Sequence, residues 1–412
     1  MEYIAALDLG TSKMLAMAAS KDNRQKILAT EQIESGDSIR RGLIYKTPEV
    51  SSKIAELIRR LNHTLKRDNL PDLKQVYVSI GGQGLHTKPY LIEKNIDRNI
   101  VDDKLLDQLH DECRADWNGS FELAEIVSPE YYLDGHSESQ PQGVRCEKLE
   151  ARFQLVVGHF SEFKTEVKKA LEKESVELID TFVAPLATAE FALTESEKES
   201  GCALVELGAG ITYLSIYKSG LLRHLVTIPI GGDVITKDIC SLDKTEMEAE
   251  EWKISEGCAF LDDESDELNN AIEARANEIV ANILHQIETS GCGQTLNAGF
   301  ILTGGASCLN GLDKLLEQQS KKPVRRVEDN PEQSCVRGML LLGNENCGRE
   351  SIQASGGNDD TIERDMFGHP IFRGRKSRKP PKEHRKDGVI IDIFKKGATI
   401  LFNEETNLPN KS

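Results

Sequence analysis

The sequence predicts an α/β protein of two similar lobes, followed by a polar tract and an apolar C-terminal segment. Three observations carry this reading. Apolar strand-like runs end in glycine turns at three places: Asp8-Leu9-Gly10-Thr11-Ser12-Lys13, Glu206-Leu207-Gly208-Ala209-Gly210 and Leu302-Thr303-Gly304-Gly305-Ala306-Ser307. The strand–turn–strand pattern of residues 3–19 recurs at 203–217, a weak internal repeat of the kind that marks two related units. After Gly348 the apolar periodicity dissolves, leaving too little to bury against the entropy of ordering the chain.

Taken in order, Tyr3 to Leu7 and Met14 to Ala19 alternate as strands around a Gly-Thr-Ser turn, and Lys26 to Glu34 forms a third. Gly42 to Tyr45 stays extended. Pro48 then opens a helix of about two dozen residues at most, with Ile54, Leu57, Ile58, Leu61 and Leu65 at helical spacing. Val76 to Ile80 is a buried strand ending at Gly81-Gly82. Residues 83–160 are polar and mixed, with short strands such as Phe153 to Val157, and read as a small inserted α+β subdomain. The first lobe's core is therefore expected at 1–82 and 161–195, with a helix at 161–174, a strand at 179–183 and a helix of small residues from Ala184. The second lobe's core is expected at 196–240 and 293–345. Its helical subdomain at 241–292 contains helices near 244–258 and 268–289, and another helix lies near 311–320. Residues 346–387 read as a disordered linker and 388–404 as an amphipathic helix.

Composition narrows the class. With 39 % hydrophobic residues but only 5 % aromatic, the core must rest on Leu, Ile, Val and Ala. Met1-Glu2-Tyr3-Ile4 offers no basic stretch ahead of an apolar one, so no secretory signal is expected. No apolar run reaches the roughly 18 residues of a spanning helix, which points to the cytoplasm. The nine cysteines include no C-x-x-C pair and no zinc spacing. Cys202, Cys240, Cys258 and Cys308 read as small buried hydrophobes. The net charge is −17, yet residues 373–396 hold ten Lys or Arg against three Asp or Glu. An acidic body with a basic tail argues against nucleic-acid binding and for a tail with its own anionic partner.

The glycine turns fit phosphate chemistry. Gly10 lets backbone N–H groups turn toward an anion. Thr11 and Ser12 add hydroxyl donors, and Lys13 a point charge. Asp8, at a strand end, is suited to hold Mg²⁺ through water. One such turn is weak evidence, but three in order are much stronger.

These segments, with Arg41-Gly42-Leu43-Ile44, Val76–Gly82, Ile228–Ile239, Lys253–Ala259 and Ile301–Leu312, resemble the actin, sugar kinase and heat-shock chaperone superfamily. Within it they resemble most the bacterial cell-division protein FtsA family. The resemblance covers about residues 1–345 and implies a two-lobed actin-like fold with the insertion in the first lobe. It also implies ATP between the lobes, contacted by Asp8, Gly10, Thr11, Ser12, Lys13, Glu206, Gly208, Gly210, Gly304 and Gly305, and Mg²⁺ near Asp8 and Glu206. Arg275 matches a helix position near adenine in relatives. Self-assembly into filaments is further implied, as are binding of the FtsZ C-terminal tail, contact with other division proteins and attachment at the inner face of the cell membrane.

Departures from the superfamily pattern limit the chemistry. The second loop usually reads Asp-x-Gly-Gly-Gly-Thr with a later Asp, whereas here stand Glu206, Ala209, Ile211 and Tyr213. The position before Pro185, acidic or amide in hydrolytic relatives, is Ala184. A general base must reach the attacking water, and none stands there, so ATP is expected to bind with slow or no hydrolysis. Two rivals share the fold: a small-molecule kinase, which needs a catalytic acid in the cleft, and a PilM-like adaptor of another membrane machine, which needs no lipid helix of its own.

The tail favours the membrane adaptor over both. On a helical wheel Asp392, Lys395, Lys396, Thr399 and Asn403 occupy an arc of about 100°. Ile390, Ile391, Ile393, Phe394, Ile400, Leu401 and Phe402 lie on the remainder. That face is too apolar for a solvated helix and too short to cross a bilayer. The basic residues upstream add roughly 1 kcal/mol each at an anionic surface. Deleting residues 389–412 is therefore expected to abolish co-sedimentation with vesicles containing anionic phospholipid, and unchanged co-sedimentation would refute the anchor.

Overall fold

A computed structural model describes residues 1–260, 267–349, 363–364 and 370–371. The chain divides into two units, Met1–Asn358 and Asp359–Ser412. In the second, Glu363–Arg364 pairs antiparallel with Pro370–Ile371. The proposed linker otherwise falls almost wholly outside the described residues, and the proposed membrane helix with Ile390, Ile391, Ile393, Phe394, Lys395, Lys396, Ile400, Leu401 and Phe402 does so entirely. Among the described residues no helix is long and apolar enough to cross a membrane.

The first unit is built on one motif used twice. Strand β1 (Tyr3–Leu9) turns tightly into β2 (Lys13–Ser20), which pairs with β3 (Ile27–Glu34). Nearly every side chain of β1 and β2 is buried, because both faces of the sheet are covered. A two-residue ladder, β4 (Ile39–Arg40) with β5 (Leu43–Ile44), leads to α1 (Thr47–Arg67). Pro48 suits the first turn of α1, where its missing N–H costs nothing. The helix buries Val50, Ile54, Leu57, Ile58, Leu61 and Leu65, the stripe expected from its spacing. Strand β6 (Gln75–Ile80) lies parallel to β1 and is wholly buried.

The insertion follows. It comprises β7 (His86–Asn95), α2 (Asp103–Asp116), β8 (Glu122–Leu133), β9 (His136–Glu138) and β10 (Lys148–Gly158). It has its own core around Leu109, Leu149, Ala151 and Phe153. Its main strands are 10, 12 and 11 residues long, which corrects the expectation of short strands. Two features hide them in the sequence. In β7 the exposed positions include the apolar Pro89 and Leu91, which spoils the polar/apolar alternation, and Ser128, at φ +56°, lies where the β8–β10 register slips.

The chain returns to the first sheet through α3 (Ser161–Lys173) and β11 (Glu177–Val183), giving the order β11-β6-β1-β2-β3. Helices α4 (Ala184–Ala192) and α5 (Glu195–Ser200) cross to the second sheet. There β12 (Cys202–Leu207), β13 (Thr212–Lys218) and β14 (Leu221–Ile228) repeat the opening meander. Helices α6 (Gly232–Cys240), α7 (Glu246–Ser255) and α8 (Glu267–Ser290) precede β15 (Gly299–Thr303). After α9 (Leu312–Ser320), β16 (Val324–Arg326) completes the order β16-β15-β12-β13-β14, the same as that of the first sheet. The insertion's sheet continues this second sheet beyond β14, joined at Val226 and His86.

Helix α10 (Ser334–Leu342) packs against α4, and the chain then returns to the first lobe, where the Cys347 N–H donates to the Tyr3 carbonyl at 2.8 Å. The approach of the two helices is close. A Cβ on Gly338 would lie 1.7 Å from the Ala187 carbonyl oxygen. Gly338→Ala must force α4 and α10 apart, an overpacking cost of about 1–3 kcal/mol. The expected result is a lower urea midpoint for the variant; an unchanged midpoint would show that the pair does not hold the lobes.

Candidate functional site

Between the lobes lies a cavity of about 290 Å³. The three glycine turns meet there, because the strands that carry them occupy equivalent places in two sheets of the same order. Asp8, Gly10, Thr11, Ser12, Lys13, Glu206, Gly208, Gly304 and Gly305 all line it. Gly210 sits beside it, so close to Thr11 that a Cβ would lie 2.9 Å from the threonine methyl.

The first two turns close in the same way. The Gly10 N–H donates to the Lys13 carbonyl at 3.1 Å and the Gly208 N–H to the Ile211 carbonyl at 2.9 Å. The amides of Thr11, Ser12, Ala209 and Gly210 are left without a backbone acceptor among the described residues, as an anion cradle requires. The second turn is braced from behind by α6, whose Gly232 and Asp233 amides donate to the carbonyls of Gly208 and Ala209, both at 2.9 Å. Gly304 adopts φ +85°, and a Cβ there would lie 2.3 Å from the Leu207 carbonyl oxygen. Only glycine allows the third turn to press against the second.

Two carboxylates stand at the floor. Asp8 accepts from the Ser79 hydroxyl at 2.6 Å. Glu206 has an Oε2 that is buried without a partner among the described residues. Burial, reinforced by the nearby Asp8 charge and opposed by the Thr188 hydroxyl, pushes the Glu206 carboxyl up to about 8. Burial also raises Asp8, against the lowering effect of its hydrogen bonds. Two like charges removed from water raise each other's pKa unless a cation neutralises them. The site therefore fits a divalent cation held through water, which needs few direct protein ligands.

Other positions differ from the sequence reading or were invisible to it. Arg275 is not among the cavity-lining residues. From α8 it grips Asp238 of α6 with two bonds, of 2.6 and 3.0 Å, and also pairs with Glu278. Cys308, expected to be buried, is exposed and lines the cavity, because the short helical turn after Gly305 turns it toward the cleft. Cys240 is only half-buried, while Cys202 and Cys258 are buried. On α7 the cavity gains Glu250 and Lys253. Lys253 Nζ donates to Glu250 Oε2 at 2.6 Å and to Thr236 Oγ1 at 2.9 Å. Their i, i+3 spacing was visible in the sequence, but nothing local said that this helix faces the cleft. Tyr213 also lines the cavity, its hydroxyl 2.6 Å from the Gly82 amide. Ala184 is there too and carries no proton acceptor.

The architecture matches solved structures over most of the chain. The PilM–PilN type IV pilus biogenesis complex aligns with a TM-score of 0.61 at 16 % identity, covering 83 % of this chain and 98 % of that one. The ethanolamine utilization protein EutJ from Carboxydothermus hydrogenoformans aligns at 0.54 and 14 %, covering 83 % and 90 %. MreB5 of Spiroplasma citri, solved with ADP, aligns at 0.50 and 13 %, covering 83 % and 96 %. The fold is thus that of the actin-like class.

Sequence comparison narrows the class. The family profile described as "Cell division protein FtsA" matches residues 203–339. The cell division protein FtsA of Porphyromonas gingivalis is 30 % identical over 349 residues, 78 % of this chain and 72 % of its own length. Those of Neisseria meningitidis and Pseudomonas aeruginosa are 27 % and 26 % identical over 78 % and 83 % of this chain, and 83 % and 89 % of their own lengths. The chain belongs to the FtsA family of cell division proteins.

The raised Glu206 carboxyl makes stability depend on pH. Its ordinary value is 4.5 and its folded value about 8, so between those values the folded chain holds a proton that the unfolded chain has lost. Stability contributed by this group therefore falls as pH rises from about 4.5 to about 8. In protein freed of divalent cations, Glu206→Gln should melt several degrees above the parent at pH 8.5 and level with it at pH 4.5. Parallel melting curves across that range would refute the buried-carboxyl account.

Proposed function

We propose that the chain binds ATP with Mg²⁺ between its lobes and serves as a filament-forming adaptor. In this reading it tethers the FtsZ ring to the inner face of the cell membrane and helps assemble the septal machinery. The observation that carries the nucleotide part is the convergence of three glycine turns, with amides that lack a backbone acceptor among the described residues, on two half-buried carboxylates. Membership of a cell-division family supports the cellular role. The basic and apolar residues of 373–403 support the membrane part.

Each element of the cleft has a task in this reading. Thr11, Ser12, Ala209 and Gly210 present amides to phosphate oxygens, with Lys13 at the rim. Asp8 and Glu206 hold the metal through water, and the ion supplies the charge that lets both ionise. Gly304 and Gly305 make room for the nucleoside. Lys253 and Glu250 supply a donor and an acceptor suited to sugar hydroxyls. Ala184 supplies no base at the position that is acidic or amide in hydrolytic relatives, and the neutral Tyr213 replaces the later Asp of the usual loop, so turnover is slow. Nucleotide then acts by favouring the assembly-competent arrangement of the lobes, to the extent that it binds that arrangement better.

Electron microscopy of the purified protein on lipid monolayers tests the adaptor. Filaments are expected with the full chain and ATP, and none after deletion of residues 389–412. Filament-free monolayers with the full chain would refute it. Phosphate release is expected below about one per second, the low end of ordinary turnover, and a faster rate would refute the non-hydrolytic assignment.

A further inference from the structure

We infer that Tyr213 and Thr227 form a cross-lobe grip on Gly82 that ties the two lobes together. The two residues are cross-strand partners in the β13–β14 ladder of the second sheet. Gly82 follows β6 of the first sheet. The Gly82 N–H donates to the Tyr213 hydroxyl at 2.6 Å, and the Thr227 hydroxyl faces the Gly82 carbonyl at 3.1 Å. One residue of the first lobe is thus held at its N–H and at its carbonyl by two adjacent side chains of the second. The Thr227 hydroxyl also reaches the Leu85 carbonyl at 3.0 Å, and the Thr227 amide donates to that carbonyl at 3.0 Å.

The surroundings are shaped to this contact. A Cβ on Gly81 would lie 2.2 Å from the Tyr213 hydroxyl, and Gly82 adopts φ +107°, so the Gly-Gly pair is what admits the phenol. Tyr213 is buried, and burial raises its pKa, keeping it a neutral hydrogen-bonding partner. The Arg41-Gly42 turn closes the far side. The Gln83 amide donates to the Arg41 carbonyl at 2.9 Å, and a Cβ on Gly42 would lie 2.6 Å from Gly82 Cα and 3.3 Å from the Ile211 side chain. Opening the cleft would leave the Gly82 amide without its buried partner, a cost that the closed form avoids. Tyr213 is accordingly a positioning residue for the lobes.

Hydrogen exchange of the full chain without nucleotide tests this. The Gly82 amide should be protected in the parent and exchange about tenfold faster in Tyr213→Phe, which keeps the ring and loses the hydroxyl. Thr227→Val should move it in the same direction. The Leu109 amide, in the insertion's core, should stay unchanged in both, which a general loss of stability would not allow. Rapid exchange of Gly82 in the parent, or no change in either variant, would overturn the grip. The inference does not rest on the nucleotide reading: if ATP with Mg²⁺ binds none of the three proteins, that reading falls while the exchange result still decides the grip.

Discussion

Asp8 and Glu206 lie near the ends of equivalent strands of two sheets that share one strand order, and the lobes bring both half-buried side chains to one cavity. Much of the cleft's architecture follows from that placement. Ser79 satisfies one oxygen of Asp8, while an oxygen of Glu206 is left without a partner among the described residues. An unpaired buried charge is costly, and a divalent ion beside the two acids would offset that cost. Retaining both acids costs stability at neutral pH and is consistent with a site completed by a divalent ion.

Glycine is the second constraint. Repeating one meander in each lobe brings three turns to a single cavity, but only if backbone can approach backbone. Gly304 against Leu207 makes such an approach within the second lobe, and Gly82 against Gly42 makes one where the lobes meet. These contacts fix the cleft's shape with few side chains, leaving amides free to face an anion. The lobe-spanning helices obey the same rule at Gly338 and Ala187.

Much of this was legible in the sequence because it is local. The stripe on α1, the buried run of β6 and the glycine turns are all properties of short segments. What stayed hidden depends on distant partners. Ile211 and Tyr213 read only as losses from a phosphate-binding pattern. In the folded chain Tyr213 meets Gly82, 131 residues earlier, and Ile211 packs near Gly42. Lys253 and Glu250 carried no reading as a pair in the sequence, and only the topology turns α7 to the cavity. The insertion's long strands were masked by apolar residues on the exposed positions of β7 and by a register slip, and nothing local foretold that its sheet continues the second one. Arg275, matched by position to a place near adenine, pairs with Asp238 in the folded chain, a partner that nothing local foretold.

The central claim is that the cleft between the lobes is a nucleotide site. Titration calorimetry of the full chain with ATP and Mg²⁺ tests it most directly, set beside Gly208→Val, whose added Cβ would lie 3.0 Å from the carbonyl that closes the second turn. The account predicts saturable binding at one site per chain in the parent and its loss in the variant. No saturable heat in the parent at millimolar ATP, or equal binding by the two proteins, would contradict it.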